Sequence, residues 1–219
     1  MPGIEVGVRR GLPGLAYPER YLHELAAELT GRFDGTFSAE TVERYVLESY
    51  TALLRTATVK AHLANRVGRF ATDRLIALSQ AEGTTARDVP EVLFVCEQNA
   101  GRSQMAAVLT DSIARGRVHV RSAGSAPAAE LNPAVVVALQ ELGLDVTHVF
   151  PKPLTDDVVQ AADVVITMGC GDACPIYPGK RYLDWHLDDP DDLSLDEVRR
   201  VRDEIQAHVE ELVQSLEAR

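Results

Sequence analysis

A cysteine followed six residues later by an arginine and then a serine, Cys96, Arg102 and Ser103, is the arrangement in this sequence best suited to chemistry on an anion. The apolar run Val92-Leu93-Phe94-Val95 ends on Cys96. A short polar loop follows, Glu97-Gln98-Asn99-Ala100-Gly101, and an Ala-rich helical pattern begins at Arg102 and Ser103. Strand, loop and helix N-terminus in that order make an anion seat, because successive backbone N–H groups converge there and the helix adds the positive end of its dipole. A cysteine at that point is placed to act as a thiolate nucleophile, with Arg102 supplying the opposite charge. The plainer reading is a buried structural cysteine at a strand end beside a solvated arginine. The two other cysteines, Cys170 and Cys174, stand four residues apart in Gly169-Cys170-Gly171-Asp172-Ala173-Cys174-Pro175. On a helical turn that spacing puts their Cα atoms roughly 6 Å apart, within disulfide range, and Gly171 and Pro175 allow the turn to unwind. A zinc half-site or a pair of inert thiols would use the same residues; zinc would need two more ligands, and His148 and His186 are isolated.

The elements that must position these groups fall into two blocks. Residues 1–17 are rich in Gly and Pro and read as an arm. From Pro18 to about residue 88 the pattern is helical. Tyr21, Leu22, Leu25, Ala26 and Leu29 share one face. Ser38 caps a second helix through Val42, Tyr45, Val46, Tyr50, Leu53 and Leu54. A third, roughly Val59 to Glu82, aligns Leu63, Val67, Phe70, Ala71, Leu75 and Leu78. Three amphipathic helices with short links predict a small all-α three-helix bundle. It has no cysteine and no metal-ligand spacing, and its His23 and His62 read as surface or packing residues. From residue 89 to 219 the rhythm is strand and helix in alternation. Strands are expected at Val92–Val95, Val118–Ser122, Ala162–Met168 and Tyr182–Leu187, and a long closing helix at Leu195–Glu217. That alternation predicts an α/β domain, a parallel four-stranded sheet with flanking helices and its ligand at the carboxyl end of the first strand.

Composition narrows the partners. The chain carries 22 Lys+Arg against 33 Asp+Glu, a net charge of −11. Residues 1–88 hold 11 of each sign, so the whole excess lies on residues 89–219. Long-range steering therefore repels an oxyanion, and only short-range donors in the loop can hold one. No basic stripe suits nucleic acid. The absence of an 18-residue apolar run or a signal peptide predicts a cytoplasmic protein with no membrane partner, and three cysteines suit thiol chemistry better than a structural disulfide framework.

The Cys-x5-Arg-Ser spacing resembles the signature loop of the cysteine-dependent phosphatases, and its surroundings resemble the low-molecular-weight branch, which includes thiol-linked arsenate reductases. Further landmarks follow in order: RSAGSAP at 121–127, LNPAVVVALQELGLD at 131–145, PKPL at 151–154, ADVVITMG at 162–169 and DDP at 188–190. The resemblance covers residues 90–219, and the helical extension is similar to one carried by some actinobacterial arsenate reductases. It implies that the loop Glu97, Gln98, Asn99, Ala100, Gly101, Arg102 and Ser103 binds the oxyanion, that Asn99 organises the loop, and that Asp189 is the general acid with Asp188 as the alternative. A solvated acidic loop is the plainer reading of those aspartates. Tyrosine phosphatases of this family follow Asp-Pro with aromatic residues, where this chain has Asp191 and Asp192. Cys170 and Cys174 fall where thioredoxin-linked arsenate reductases keep their resolving pair. The expected activity is arsenate reduction, with Cys96 as nucleophile, a relay through Cys170 and Cys174, thioredoxin as external reductant and no tightly bound cofactor or metal. The alternatives are transfer of arsenate to an external thiol such as mycothiol, which would leave Cys170 and Cys174 dispensable, and a low-molecular-weight phosphatase. Glu97 beside the nucleophile would oppose an anion unless it points away. A monomer or weak dimer is expected.

Overall fold

The run that ends on Cys96 becomes a strand, β1 (Glu91–Cys96), buried along its whole length at the centre of the sheet. The computed structural model describes residues 18–57, 62–169 and 174–217. The expected arm at 1–17, the first residues of the expected third helix (Val59 to Ala61) and Cys170 lie outside them. Two compact units divide at Thr72/Asp73.

The first unit contains α1 (Pro18–Arg32), α2 (Ala39–Leu54) and the first ten residues of α3 (Leu63–Ala81). Leu22, Leu25 and Leu29 of α1, Val42, Val46 and Leu53 of α2, and Leu63, Val67 and Phe70 of α3 are all buried, each set at helical spacing. Ser38 caps α2 by accepting from the Thr41 N–H at 3.2 Å. The Tyr21 hydroxyl donates to the Ala64 carbonyl. His23 and His62 are exposed.

The second unit begins inside α3, earlier than the turn-rich stretch at 83–90 suggests. Its remaining elements are β1, α4 (Arg102–Ala114), β2 (His119–Gly124), α5 (Pro133–Gln140), α6 (Asp156–Ala161), β3 (Val164–Met168), β4 (Arg181–Asp184) and α7 (Leu195–Glu217). The four strands are parallel, in the order β2-β1-β3-β4. Both faces of β1 are covered, which is why its sequence is continuously apolar rather than alternating. Val92, Phe94 and Cys96 join one core with residues of α4, α5 and α7. Leu93 and Val95 join the other with Val158 and Val159 of α6 and Ala77 of α3.

The second half of α3 is tied to the sheet by charge as well. The Arg74 guanidinium donates to both Asp157 carboxylate oxygens at 3.2–3.3 Å, and both side chains are buried. Gln80 Nε2 donates to Glu91 Oε1 at 2.6 Å, and Glu91 also pairs with Arg121 and with His119 Nδ1. Burial opposes the charge of Glu91, but His119, Arg121 and Gln80 together outweigh it and hold its carboxyl below the usual carboxylate range. Among the described residues no helix is long and apolar enough to cross a membrane.

Candidate active site

Parallel pairing places Cys96 beside Gly124 at the end of β2 and Met168 at the end of β3, so the loop after β1 emerges at the carboxyl edge of the sheet. The loop's carbonyls are occupied from outside. Those of Cys96, Glu97, Gln98 and Ala100 accept from the backbone N–H groups of Ser125, Ala126, Ala128 and Asn132 at 2.8–3.2 Å. With its carbonyls engaged outward, the loop has its N–H groups available to its interior. This close approach requires Gly124: a Cβ there would stand 2.6 Å from the Glu97 carbonyl oxygen. The turn itself requires a left-handed residue, and Asn99 supplies it at φ 49°. No side chain caps α4, so the first N–H groups of that helix are also left for a ligand.

Hydrogen bonds fix which way the proton at Ser103 points. The Asn99 side-chain oxygen accepts from the Lys152 N–H at 2.8 Å and from Gln104 Nε2 at 2.9 Å, so its amide nitrogen is the end turned to Ser103 Oγ, at 2.8 Å. Ser103 thus accepts from Asn99 and has its own proton for the Cys96 sulfur, 2.9 Å away. The Asn99 N–H reaches the same sulfur at 3.2 Å. Two donors converge on one buried sulfur and fix its position at the end of β1. Gln104 extends the chain by donating to the Phe150 carbonyl and accepting from Ser122, so the loop is referred to β2 as well as to α4.

Arg102 is buried next to this loop, its guanidinium donating to the Leu187 carbonyl at 3.3 Å and to Asp189. Its Nε has no partner among the described residues. Gly169 makes room for it: at φ 70° a Cβ would lie 2.9 Å from Arg102 Nη1. The segment bearing Asp189 follows β4, where the Trp185 ring is held between Phe94 and His208 at centroid distances of 5.6 and 4.9 Å. It then folds onto the oxyanion loop. Pro190 lies so close that a Cβ on Gly101 would stand 2.5 Å from its ring.

Of the residues expected at the site, Cys96, Asn99 and Ser103 are joined to one another by hydrogen bonds, and Arg102 and Asp189 are joined separately by their ion pair, while Ala100 and Gly101 complete the loop. Asp188 and Asp189 are both exposed, and it is Asp189 that meets Arg102. Glu97 is exposed as well, so its charge is hydrated where it stands. Gln98 bonds to Asp191 at 2.6 Å. Cys174 is half-buried and packs with Leu154, Tyr177 and Tyr182 on the core formed by Leu93, Val95 and Val165, whereas Cys96 belongs to the other face. Nothing in the sequence alone marks Gln104, Asn132 or Gly169 as site residues. Asn132 signals itself only as the cap of α5, and Gln104 only as a polar residue in an otherwise small and apolar helix.

A buried thiol at a strand-loop-helix turn on a parallel sheet, in a loop that also carries a buried arginine paired with a carboxyl group, is an arrangement suited to cysteine chemistry on an oxyanion. The chain belongs to the low molecular weight phosphotyrosine protein phosphatase family, whose pattern matches residues 91–219. Residues 22–79 match the protein-tyrosine-phosphatase-like N-terminal domain. A thioredoxin-dependent arsenate reductase of Corynebacterium glutamicum is 48% identical, with a TM-score of 0.82 over 91% of this chain and 97% of that one. An arsenate reductase of Staphylococcus epidermidis is 36% identical over 123 residues, 54% of this chain and 92% of that protein. An arginine phosphatase of Geobacillus stearothermophilus is 26% identical, with a TM-score of 0.52 over 59% of this chain and 94% of that one.

Proposed function

We propose that the protein reduces arsenate to arsenite and is returned to its dithiol state by thioredoxin. The observation that carries this reading is the likeness, over both units and nearly the whole chain, to a thioredoxin-dependent arsenate reductase. The site's chemistry is compatible with it. Arsenate, shaped and charged like phosphate, takes the N–H groups of residues 97–103 and the guanidinium fork of Arg102. The Cys96 thiolate attacks arsenic while Asp189 gives a proton to the departing oxygen, which leaves as water. Cys170 attacks the Cys96 sulfur. The electron pair of the sulfur–arsenic bond goes to arsenic, arsenite departs, and a Cys96–Cys170 disulfide remains. Cys174 then attacks Cys170, freeing the Cys96 thiolate and leaving a Cys170–Cys174 disulfide for the thioredoxin dithiol to reduce.

Single Cys→Ser variants test the scheme. Cys96→Ser abolishes arsenite formation. Cys170→Ser and Cys174→Ser abolish the thioredoxin-driven reaction while Cys96 still takes up arsenate. Full thioredoxin-driven turnover by Cys174→Ser would overturn the relay, and turnover by Cys170→Ser with mycothiol in place of thioredoxin would assign the chain to external-thiol transfer.

A further inference from the structure

We propose that Asp191 is a positioning residue for the general acid: it latches the segment bearing Asp189 onto the oxyanion loop. This rests on the reading of Asp189 as proton donor. The Asp191 carboxylate accepts from Gln98 Nε2 at 2.6 Å through one oxygen and from Asn132 Nδ2 at 3.2 Å through the other. Its own N–H donates to Asp189 Oδ1 at 3.3 Å. One residue therefore touches the oxyanion loop, the start of α5 and the acid itself.

Asn132 gives the latch a fixed post. Its N–H holds the Ala100 carbonyl at 3.0 Å, its Oδ1 caps α5 by accepting from Ala134 and Val135, and its Nδ2 reaches the Pro190 carbonyl at 3.3 Å as well as Asp191. Pro190 lies against Gly101 between the two ends. The segment is thus held at its middle by contact with Gly101 and at its end by Asp191.

The need for a latch follows from the Arg102–Asp189 pair. Asp189 occupies part of the arginine's donor face. An incoming anion takes those donors and displaces the carboxyl group, which is half-exposed and would otherwise swing into solvent. Held by Asp191, it moves only from the guanidinium to the rim of the same loop, within reach of the leaving oxygen. Positioned proton transfer contributes about 10²–10⁴-fold to rate, so a loosened acid forfeits part of that factor without loss of the anion seat.

The test uses the full chain as wild type, Asp191→Ala, Asp191→Asn, Asp189→Asn and the Asp189→Asn/Asp191→Ala double variant. Arsenate reduction is followed under thioredoxin recycling. Single-turnover cleavage of phenyl and p-nitrophenyl phosphate is followed alongside, because phenolate is the poorer leaving group and depends more on a proton donor. Asp191→Ala is expected to lower kcat for arsenate about tenfold with KM changed less than about twofold, and to lower the phenyl to p-nitrophenyl rate ratio in the same direction as Asp189→Asn. Asp191→Asn, which keeps one acceptor oxygen, falls between wild type and Asp191→Ala. The double variant is no slower than Asp189→Asn alone. A rise in KM without loss of kcat, an equal loss on both esters, or an additive double variant would overturn the latch. Wild-type rates and ester ratio in Asp189→Asn would instead overturn the assignment of the acid. Should Asp191→Ala not fold, Gln98→Ala removes the same contact from the other side and is held to the same outcomes.

Discussion

At the scale of single residues, the site is an ordered set of protons. Lys152 and Gln104 orient Asn99, Asn99 orients Ser103, and Ser103 with the Asn99 N–H faces the Cys96 sulfur. The Ser103 hydroxyl is one of two donors that orient the sulfur, and a hydrogen bond of this kind is worth about 0.5–1.5 kcal/mol. Ser103→Ala is therefore expected to slow alkylation of Cys96 by iodoacetamide at neutral pH by up to about tenfold. Asn99→Ala, which also removes the left-handed turn residue, slows it further; equal rates in wild type and Ser103→Ala would show that the serine does not act on the sulfur. Glu97 illustrates what a residue type alone leaves open. Beside the nucleophile it looks like an obstacle to anions, and only its exposed placement shows that its charge stays in water.

At the scale of elements, the ends of strands and the start of one helix carry the site, and three close approaches, at Gly101, Gly124 and Gly169, depend on having no side chain. Gly124→Ala would push a Cβ onto main-chain atoms of Glu97 and Asn99, at 2.6 and 2.9 Å, and backbone cannot step aside as a flexible side chain can. The expected result is a loss of about 1–3 kcal/mol in urea unfolding together with weakened phosphate binding, the latter followed through the fluorescence of Trp185, the chain's single tryptophan. The opposite end of β1 makes a different demand. Glu91 is buried among Arg121, His119 and Gln80, and its folded-state carboxyl lies below the usual value of 4.5. A depressed carboxyl contributes stability that is fully present above the unfolded value and is lost as pH falls through the lower folded one. Glu91→Gln, which leaves the buried Arg121 with Gln80 but without its carboxylate counter-charge, should cost about 3 kcal/mol near pH 7. The gap from wild type should narrow as thermal melts are repeated below about pH 4.5, and a gap that widened there would contradict the pairing.

At the scale of the whole molecule, the boundary that matters is inside a helix. Composition and turn residues put the change of domain near residue 88, yet residues 73–81 belong to the unit that contains the sheet. Ala77 packs on Leu93, Val95 and Val165, and Arg74 neutralises the buried Asp157. A chain shortened to begin at Val89 loses that cover and leaves Asp157 charged without its arginine, at a cost of about 3–5 kcal/mol from the ion pair alone. Urea unfolding should show it much less stable than the full chain, and Asp157→Asn in the shortened chain should recover part of the difference by removing the stranded charge. No recovery would mean that Asp157 finds another partner.

Local chemistry determined much by itself. The uninterrupted apolar runs of β1 and β3, the caps at Ser38 and Asn132, the alternation of strand and helix after residue 89 and the spacing of Cys96, Arg102 and Ser103 are all read along the chain, because each depends on neighbours within a turn or a strand's length. Long-range placement was decided only in three dimensions. Asp189 rather than Asp188 on Arg102, Asp191 tied to Gln98 and Asn132, Gln104 and Lys152 behind Asn99, and the end of α3 folded onto the sheet all join residues far apart in sequence. Adjacent aspartates in a loop are equivalent until a distant arginine selects one of them, and no pattern of residue types along the chain carries that information.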